Sequence, residues 1–223
     1  MLGHSQAVRH RVLIPRSLVR SQVPQPIILR QSSIIPRGIL NQDTLDPRQT
    51  RQASLCLMKE SSVHAGQVDN LIRLSFPTEI NMRPVYKFRH ESARIDPLCK
   101  IAIDPLGKVQ GCIRFFRCLI ARRDRIIDDA IILGPLSIST QYRGQGLAHQ
   151  LIHRCLAEAR ARNLGPCFVV GDPKIYRKHG FCNATSLEVT LEGQDDVRRF
   201  LVAELKIGQF TSEMQQSTLK PLL

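Results

Sequence analysis

Ile131-Ile-Leu-Gly-Pro-Leu-Ser-Ile-Ser139, followed by Thr140-Gln-Tyr-Arg-Gly-Gln-Gly-Leu-Ala148, is the stretch that decides how this chain folds. Its first nine residues are short, apolar and rich in Ile, the signature of a buried strand rather than a helix. Pro135 lies inside that strand and cannot donate a ladder hydrogen bond, so a bulge or a splay is expected there. Beyond the loop, Leu147, Leu151, Ile152, Cys155, Leu156 and Ala159 fall on one helical stripe, while His149, Gln150, His153, Arg154, Glu158 and Arg162 occupy the remaining surface. Glu158 and Arg162 are four apart in the favourable order, and Gly165-Pro166 ends the helix.

The connection Gln141-Tyr-Arg-Gly-Gln-Gly146 has a chemical reading. Gly144 and Gly146 permit backbone shapes that a Cβ disfavours. Successive amide N–H groups then point into one concavity at the positive end of the following helix. The product is an anion site suited to a phosphate or pyrophosphate, with Arg143 adding a full charge beside it. Two better-known phosphate loops are excluded. A dinucleotide fingerprint needs glycine where His149 stands, and there is no Gly-Lys-Ser/Thr. A glycine-containing strand-to-helix connection with no ligand is the competing reading.

A second motif follows the helix. After the apolar run Cys167-Phe168-Val169-Val170, residues 171–181 read Gly-Asp-Pro-Lys-Ile-Tyr-Arg-Lys-His-Gly-Phe. The Gln-x-x-Gly-x-Gly loop resembles the pyrophosphate loop of the GNAT superfamily of N-acetyltransferases. The Tyr-x-x-x-Gly-Phe segment resembles the one that follows it in that family. The Gly-Asp-Pro variant is similar to a subgroup of small predicted acetyltransferases. The resemblance covers roughly residues 54–207 and implies an α/β (α+β) fold, a mixed twisted sheet flanked by helices with a splayed central strand.

The same resemblance implies the chemistry. Acetyl-coenzyme A (acetyl-CoA) would be the co-substrate, with no metal, and an amine of a small molecule or protein would attack its thioester directly. Backbone near Leu136, Ser137 and Ile138 would take the pantetheine amides. Gln141, Arg143, Gly144, Gln145, Gly146, Leu147 and Ala148 would take the pyrophosphate. Tyr176 matches the family's general acid, its alternative role being packing against the coenzyme. Tyr86, Phe88, His90 and Glu91 fall in the segment that lines the acceptor site. The chain departs from the family by lacking an Asn about seven residues before the tyrosine and a Glu in the run Ile131–Leu133. The general base is therefore unassigned, with Asp172 and His179 as the residues to weigh. Two rival readings stand: a protein that senses or binds acyl-CoA without catalysis, and a basic RNA- or ribosome-associated protein.

Composition sets the outer limits. The 223 residues are 43% hydrophobic with no Trp, which suits one aliphatic-cored domain with some chain to spare. Seven cysteines without a Cys-x-x-Cys pair read as reduced core thiols in a cytoplasmic protein, and no run is long enough to span a membrane. The net charge of +13 admits polyanionic ligands. Residues 1–52 hold eight Arg, no Lys and only Asp43 and Asp46, a net +6. This proline-punctuated stretch reads as a disordered tail. Three accounts compete: a basic arm for RNA or an acidic partner, a transit peptide, or sequence upstream of a start at Met58. The last, or an inert tail, is favoured. The domain is placed at 53–207 and a weakly ordered polar tail at 208–223. A monomer or homodimer is expected.

The rest supplies the sheet. Ser54–Lys59 reads as a strand and His64–Phe76 as a helix closed by Pro77. Lys100–Ile103 and Val109–Leu119 form a hairpin around Asp104-Pro105-Leu106-Gly107. Cys182–Leu191 and Val197–Leu205 read as two strands that complete the sheet.

Overall fold

The computed structural model describes residues 55–76, 84–123 and 125–222. The basic stretch 1–52 lies outside the described residues. The described elements run β1 (Cys56–Lys59), α1 (Ala65–Ser75), β2 (Lys100–Ile103), β3 (Val109–Arg122), β4 (Arg125–Ile138), α2 (Leu147–Ala161), β5 (Cys167–Val170), α3 (Pro173–Tyr176), β6 (Cys182–Asn183), β7 (Val189–Thr190), β8 (Phe200–Ala203) and β9 (Ser217–Pro221). The strands form one mixed sheet in the order β1-β2-β3-β4-β5-β8-β6. Along that path neighbours pair antiparallel except β4 with β5, which pair parallel through the α2 crossover; β7 and β9 join the sheet off the path. None of the described helices is long and apolar enough to cross a membrane.

Alternation along the strands distributes the helices. Ile101 and Cys112 pack with Val68 and Leu71 of α1, whereas their chain neighbours Ala102 and Ile113 pack with Leu147, Leu151, Ile152, Cys155 and Leu156 of α2. Adjacent strand residues point to opposite faces, so α1 and α2 cover opposite sides of the sheet. Burying each large aliphatic side chain of the α2 stripe contributes roughly 1.5–3 kcal/mol before entropic costs.

Three strand expectations change. Residues 208–223 do not form a loose polar tail, because Ser217–Pro221 pairs antiparallel with Cys118–Ala121 of β3 and parallel with β7. Met214 and Leu219 are buried under it. The apolar residues that anchor this segment, Phe210, Met214, Leu219 and Leu222, are irregularly spaced and show neither a strand nor a helix period. The run 182–191 is broken by a 3-10 turn at Ala184–Leu187, capped by the Asn183 side chain, which leaves β6 and β7 two residues each. Asp196 likewise caps a turn at Val197–Arg199, so β8 begins only at Phe200.

The central strand carries the expected irregularity. Ile113 of β3 pairs Leu136 and Phe115 pairs Leu133, so Gly134 and Pro135 together face Arg114. This two-against-one count is a β-bulge on β4. Beside it, β4 pairs with β5 only from Ile131–Cys167 to Leu133–Val169. The two strands part where Pro135 enters.

Arg114, opposite the bulge, is fixed from the α1 side. Its Nε donates to both carboxylate oxygens of Glu60 at 3.0 and 3.1 Å, and its Nη2 also reaches Asp69 at 3.2 Å. Arg94 Nη2 lies 3.3 Å from the same Glu60 carboxylate. Glu60 is 4% exposed. A carboxylate this buried is tolerated because two guanidinium groups and their hydrogen bonds replace its water. Glu60→Ala would remove the buried carboxylate shared by the two guanidinium groups, leaving Arg114 with the more exposed Asp69 and Arg94 with the exposed Glu91 and Asp96. We expect it to lower stability by about 3–5 kcal/mol, the usual cost of breaking a buried pair from one side. Urea denaturation measures this, and a loss below about 1 kcal/mol would mean that water already screens the cluster.

Candidate functional site

The parting of β4 from β5 frees backbone groups in a predictable phase. Ser139 N–H donates to Gln110 C=O at 2.8 Å, and the register pairs Gly111 with Ile138. Antiparallel partners alternate between bonded and non-bonded, which makes Ser137–Cys112 the bonded pair. Leu136 and Ile138 therefore turn their N–H and C=O away from β3, toward the side that β5 has left. Before the bulge it is Ile131 that faces β5, its N–H donating to Pro166 C=O at 3.0 Å. The extra residue in β4 thus shifts the phase so that Leu136 and Ile138 face the gap.

Ser137 is brought to a different place. Its side chain is buried, and its backbone belongs to the bonded pair with Cys112. It offers nothing to the gap, and its assignment to the coenzyme's pantetheine is corrected to a structural one. The reason is the bulge: one-residue shifts exchange the faces of a strand.

At the end of β4, residues Thr140–Tyr142 make one 3-10 turn and the chain enters α2 at Gly146. Gly144 and Gly146 hold φ of 76° and 80°, the left-handed region that favours glycine. A Cβ built on either would meet nothing within 4 Å, so both border open space. The first bond of the helix runs from Gln150 N–H to Gly146 C=O. The N–H groups of Leu147, Ala148 and His149 precede it and have no intrahelical acceptor. Leu147 contributes this N–H while its side chain is buried in the core. Arg143 Nε donates to Ile138 C=O at 3.2 Å, and Gln145 Nε2 to Gln141 C=O at 2.7 Å. Arg143 thus ties the loop to the strand end and remains exposed. The Gln145 side chain thus ties back to the Gln141 backbone and shapes the loop.

Tyr176 closes α3, whose start is set by Pro173 and by Asp172, the carboxylate accepting from Lys174 N–H at 2.9 Å. The tyrosine is 6% exposed and shares the α2-side core with Leu133, Leu147 and Val169, with Leu136 packed against that cluster. Its ring meets Phe181 edge-on at 5.5 Å between centroids. Gly171 sits directly under the ring, and any Cβ there would overlap it. Burial first, then the nearby Cys167, pushes the phenol above its ordinary range and keeps its proton on at neutral pH.

The other residues singled out from the sequence have local duties. Asp172 is a helix cap, exposed to solvent. His179 is buried against His149. Phe88 lies in the core beside Phe116 and Ile132, which corrects its placement on an acceptor surface. His90 is held by Ser92 Oγ at 2.7 Å, and Glu91 pairs with Arg94 at 3.4 Å. Tyr86 is exposed under the Arg89 guanidinium, 5.4 Å from its centroid. Arg89 Nη2 in turn lies 4.0 Å from where a Gly134 Cβ would stand, at the point where the strands part. No motif in the sequence marks Arg89, whose position depends on the turn at Pro84–Phe88. Beside Asp172 and Pro173, a depression of about 450 Å³ is completed by Asp196, Arg198 and Arg199.

The arrangement can hold an extended anionic thioester: strand-like backbone in a gap, then free N–H groups at a helix start, with a protonated phenol nearby. Residues 98–183 match the model of the acetyltransferase (GNAT) domain. Over 122 residues the chain is 29% identical to the uncharacterized N-acetyltransferase YhbS of Escherichia coli K12, covering 55% of this chain and 70% of that protein. The crystal structure of E. coli YhbS in complex with CoA superposes with a TM-score of 0.64 at 22% identity, covering 81% of this chain and 94% of that one. A GNAT acetyltransferase from Brucella melitensis, in complex with acetyl-CoA, superposes at 0.52 and 20% identity, covering 70% and 90%. The described chain has the GNAT acetyltransferase fold.

Gly146→Val tests the loop. A β-branched residue disfavours the left-handed backbone and projects into the open concavity. We expect at least a tenfold loss of CoA affinity by calorimetric titration, with thermal unfolding shifted by only a few degrees. Affinity equal to the parent chain would place the anion elsewhere.

Proposed function

We propose that this protein is an N-acetyltransferase that moves the acetyl group of acetyl-CoA onto an amine by direct attack, and that its Gly171-Asp172-Pro173 turn marks a subgroup of small GNAT enzymes. One observation carries the reading: the phase of β4 beyond the bulge presents Leu136 and Ile138 to a gap that ends on the free N–H groups of α2. Those two residues would bind the pantetheine amides, and Gly144–Ala148 with Arg143 the pyrophosphate. Acetyl-CoA supplies the activated thioester carbonyl.

The chain's residues then have three tasks. Backbone N–H at the parting of β4 polarises the carbonyl. The apolar wall of Leu133, Val169 and Tyr176 excludes water from it. Tyr176 holds a proton toward the leaving sulfur. A thiol has an ordinary pKa of about 8.5, below that of a phenol near 10, so the donation acts first as a hydrogen bond to the developing charge. The attacking amine must be neutral, and no residue of the site stands out as its base. Asp172 is spent on a helix cap, and His179 is engaged by His149. The depression lined by Asp172, Asp196, Arg198 and Arg199 is the surface we assign to the acceptor.

The experiment has two stages. Acetyl-CoA binding is measured by calorimetry, and turnover is followed with a panel of amines. Tyr176→Phe is then compared with the parent chain. The ring and its packing survive while the hydroxyl is lost, so kcat should fall about 10²- to 10⁴-fold. The dissociation constant for acetyl-CoA should move by less than about tenfold. Unchanged kcat, with chemistry limiting, would refute the acid role; lost affinity with kcat intact would make Tyr176 a packing residue.

A further inference from the structure

Three histidines gather where the anion loop meets the tyrosine segment. His149 is the third residue of α2, one turn before His153. His179 follows Tyr176 by three residues and precedes Gly180, whose left-handed backbone turns the chain back to Phe181. His149 Nδ1 and His179 Nε2 are 3.2 Å apart, with ring centroids at 4.6 Å. His153 stacks on His149 at 6.2 Å. This contact joins the helix start to the segment that carries Tyr176. It is a polar contact between side chains 30 residues apart, with His149 exposed and His179 buried.

We propose that His149 and His179 are a positioning pair that takes up a proton when the coenzyme's pyrophosphate binds, and so holds the tyrosine segment against the occupied anion loop. This inference rests on the assignment of Gly144–Ala148 as the pyrophosphate site.

Two neutral imidazoles share one proton along the contact, one donating and one accepting. A further proton on one ring keeps the bond and makes it charge-assisted; a proton on each leaves two donors facing each other. In the free protein the added charge is unfavourable. His179 is 9% exposed, and it is surrounded by His149, His153 and Arg160 from α2 and by Lys178 from its own segment. Burial first, and then these neighbours, bring it down to about 4. Side chains of a helix lean toward its N-terminus, so His149 reaches back toward the anion loop. A pyrophosphate carries two negative charges and would lie within about one Debye length, roughly 8 Å, of the pair. It supplies the counter-charge that the site lacks.

The sign follows from linkage. If the complex binds more protons than the free protein, affinity rises as pH falls. Reciprocity requires the coenzyme to draw protons onto the pair.

Dephospho-CoA is the probe, because it keeps the pyrophosphate and lacks the 3′-phosphate, whose own ionisation near pH 6 would obscure the count. Its binding is measured at pH 6.0, 6.75 and 7.5, each in two buffers of different ionisation enthalpy. We expect net proton uptake at pH 6.0 that shrinks toward pH 7.5. Affinity should tighten about threefold to tenfold over that range. His149→Gln and His179→Gln should bind with no uptake and a flat pH profile, while His153→Gln keeps most of the uptake. Binding without uptake, or uptake that persists in both Gln variants, overturns the pair's role and leaves the pyrophosphate site standing. No binding of dephospho-CoA or CoA at any pH overturns the site itself, and the pair's role with it.

Discussion

Between Leu133 and Leu136 the central strand carries one residue more than its partner, and the rest of the site depends on that count. Without the bulge at Gly134-Pro135, strand alternation would turn residues 135 and 137 toward the gap. Pro135 has no N–H to give. The bulge instead aims Leu136 and Ile138, which have both donor and acceptor. It also lets β4 leave β5 while staying bonded to β3, so the sheet opens on one side without coming apart.

A gap of this kind must be braced, since exposed ladder groups and an unfilled space both cost stability. On the α1 side, Arg114 faces the bulge and is locked by Glu60, which also holds Arg94 and donates its N–H to Cys99 C=O. On the α2 side, Leu147 and Tyr176 pack beside Leu133 and Val169. One brace is ionic and one apolar, for a physical reason. The apolar side is where a thioester would lie and water must be absent. The ionic side needs directional bonds to fix the register of β3 and β4.

The Tyr176 segment has little regular structure, only one helical turn and a 3-10 turn before β6. Its position is fixed by three contacts: the Asp172 cap, the ring on Gly171 and Phe181, and His179 on His149. The third links it to the helix whose N–H groups form the anion loop. The start of α2 and the placement of the phenol are therefore joined by a side-chain contact.

Much of this was legible in the sequence. Period-2 and period-3.6 apolar patterns placed β2, β3, α1, α2 and β5, and Pro135 with Gly144 and Gly146 marked the parting and the loop, because these residues act through local backbone rules. What tertiary structure decided was whatever depends on register or on distant partners. Ser137 reads as a gap residue until the bulge shifts the phase. Phe88 reads as a surface aromatic until it packs on Phe116 and Ile132. Ser217–Pro221 reads as a tail until β3 and β7 offer free edges. Glu60 finds Arg114 across 54 residues, and His149 finds His179 across 30. No local pattern encodes such pairs, because their energies come from burial that only the assembled sheet provides.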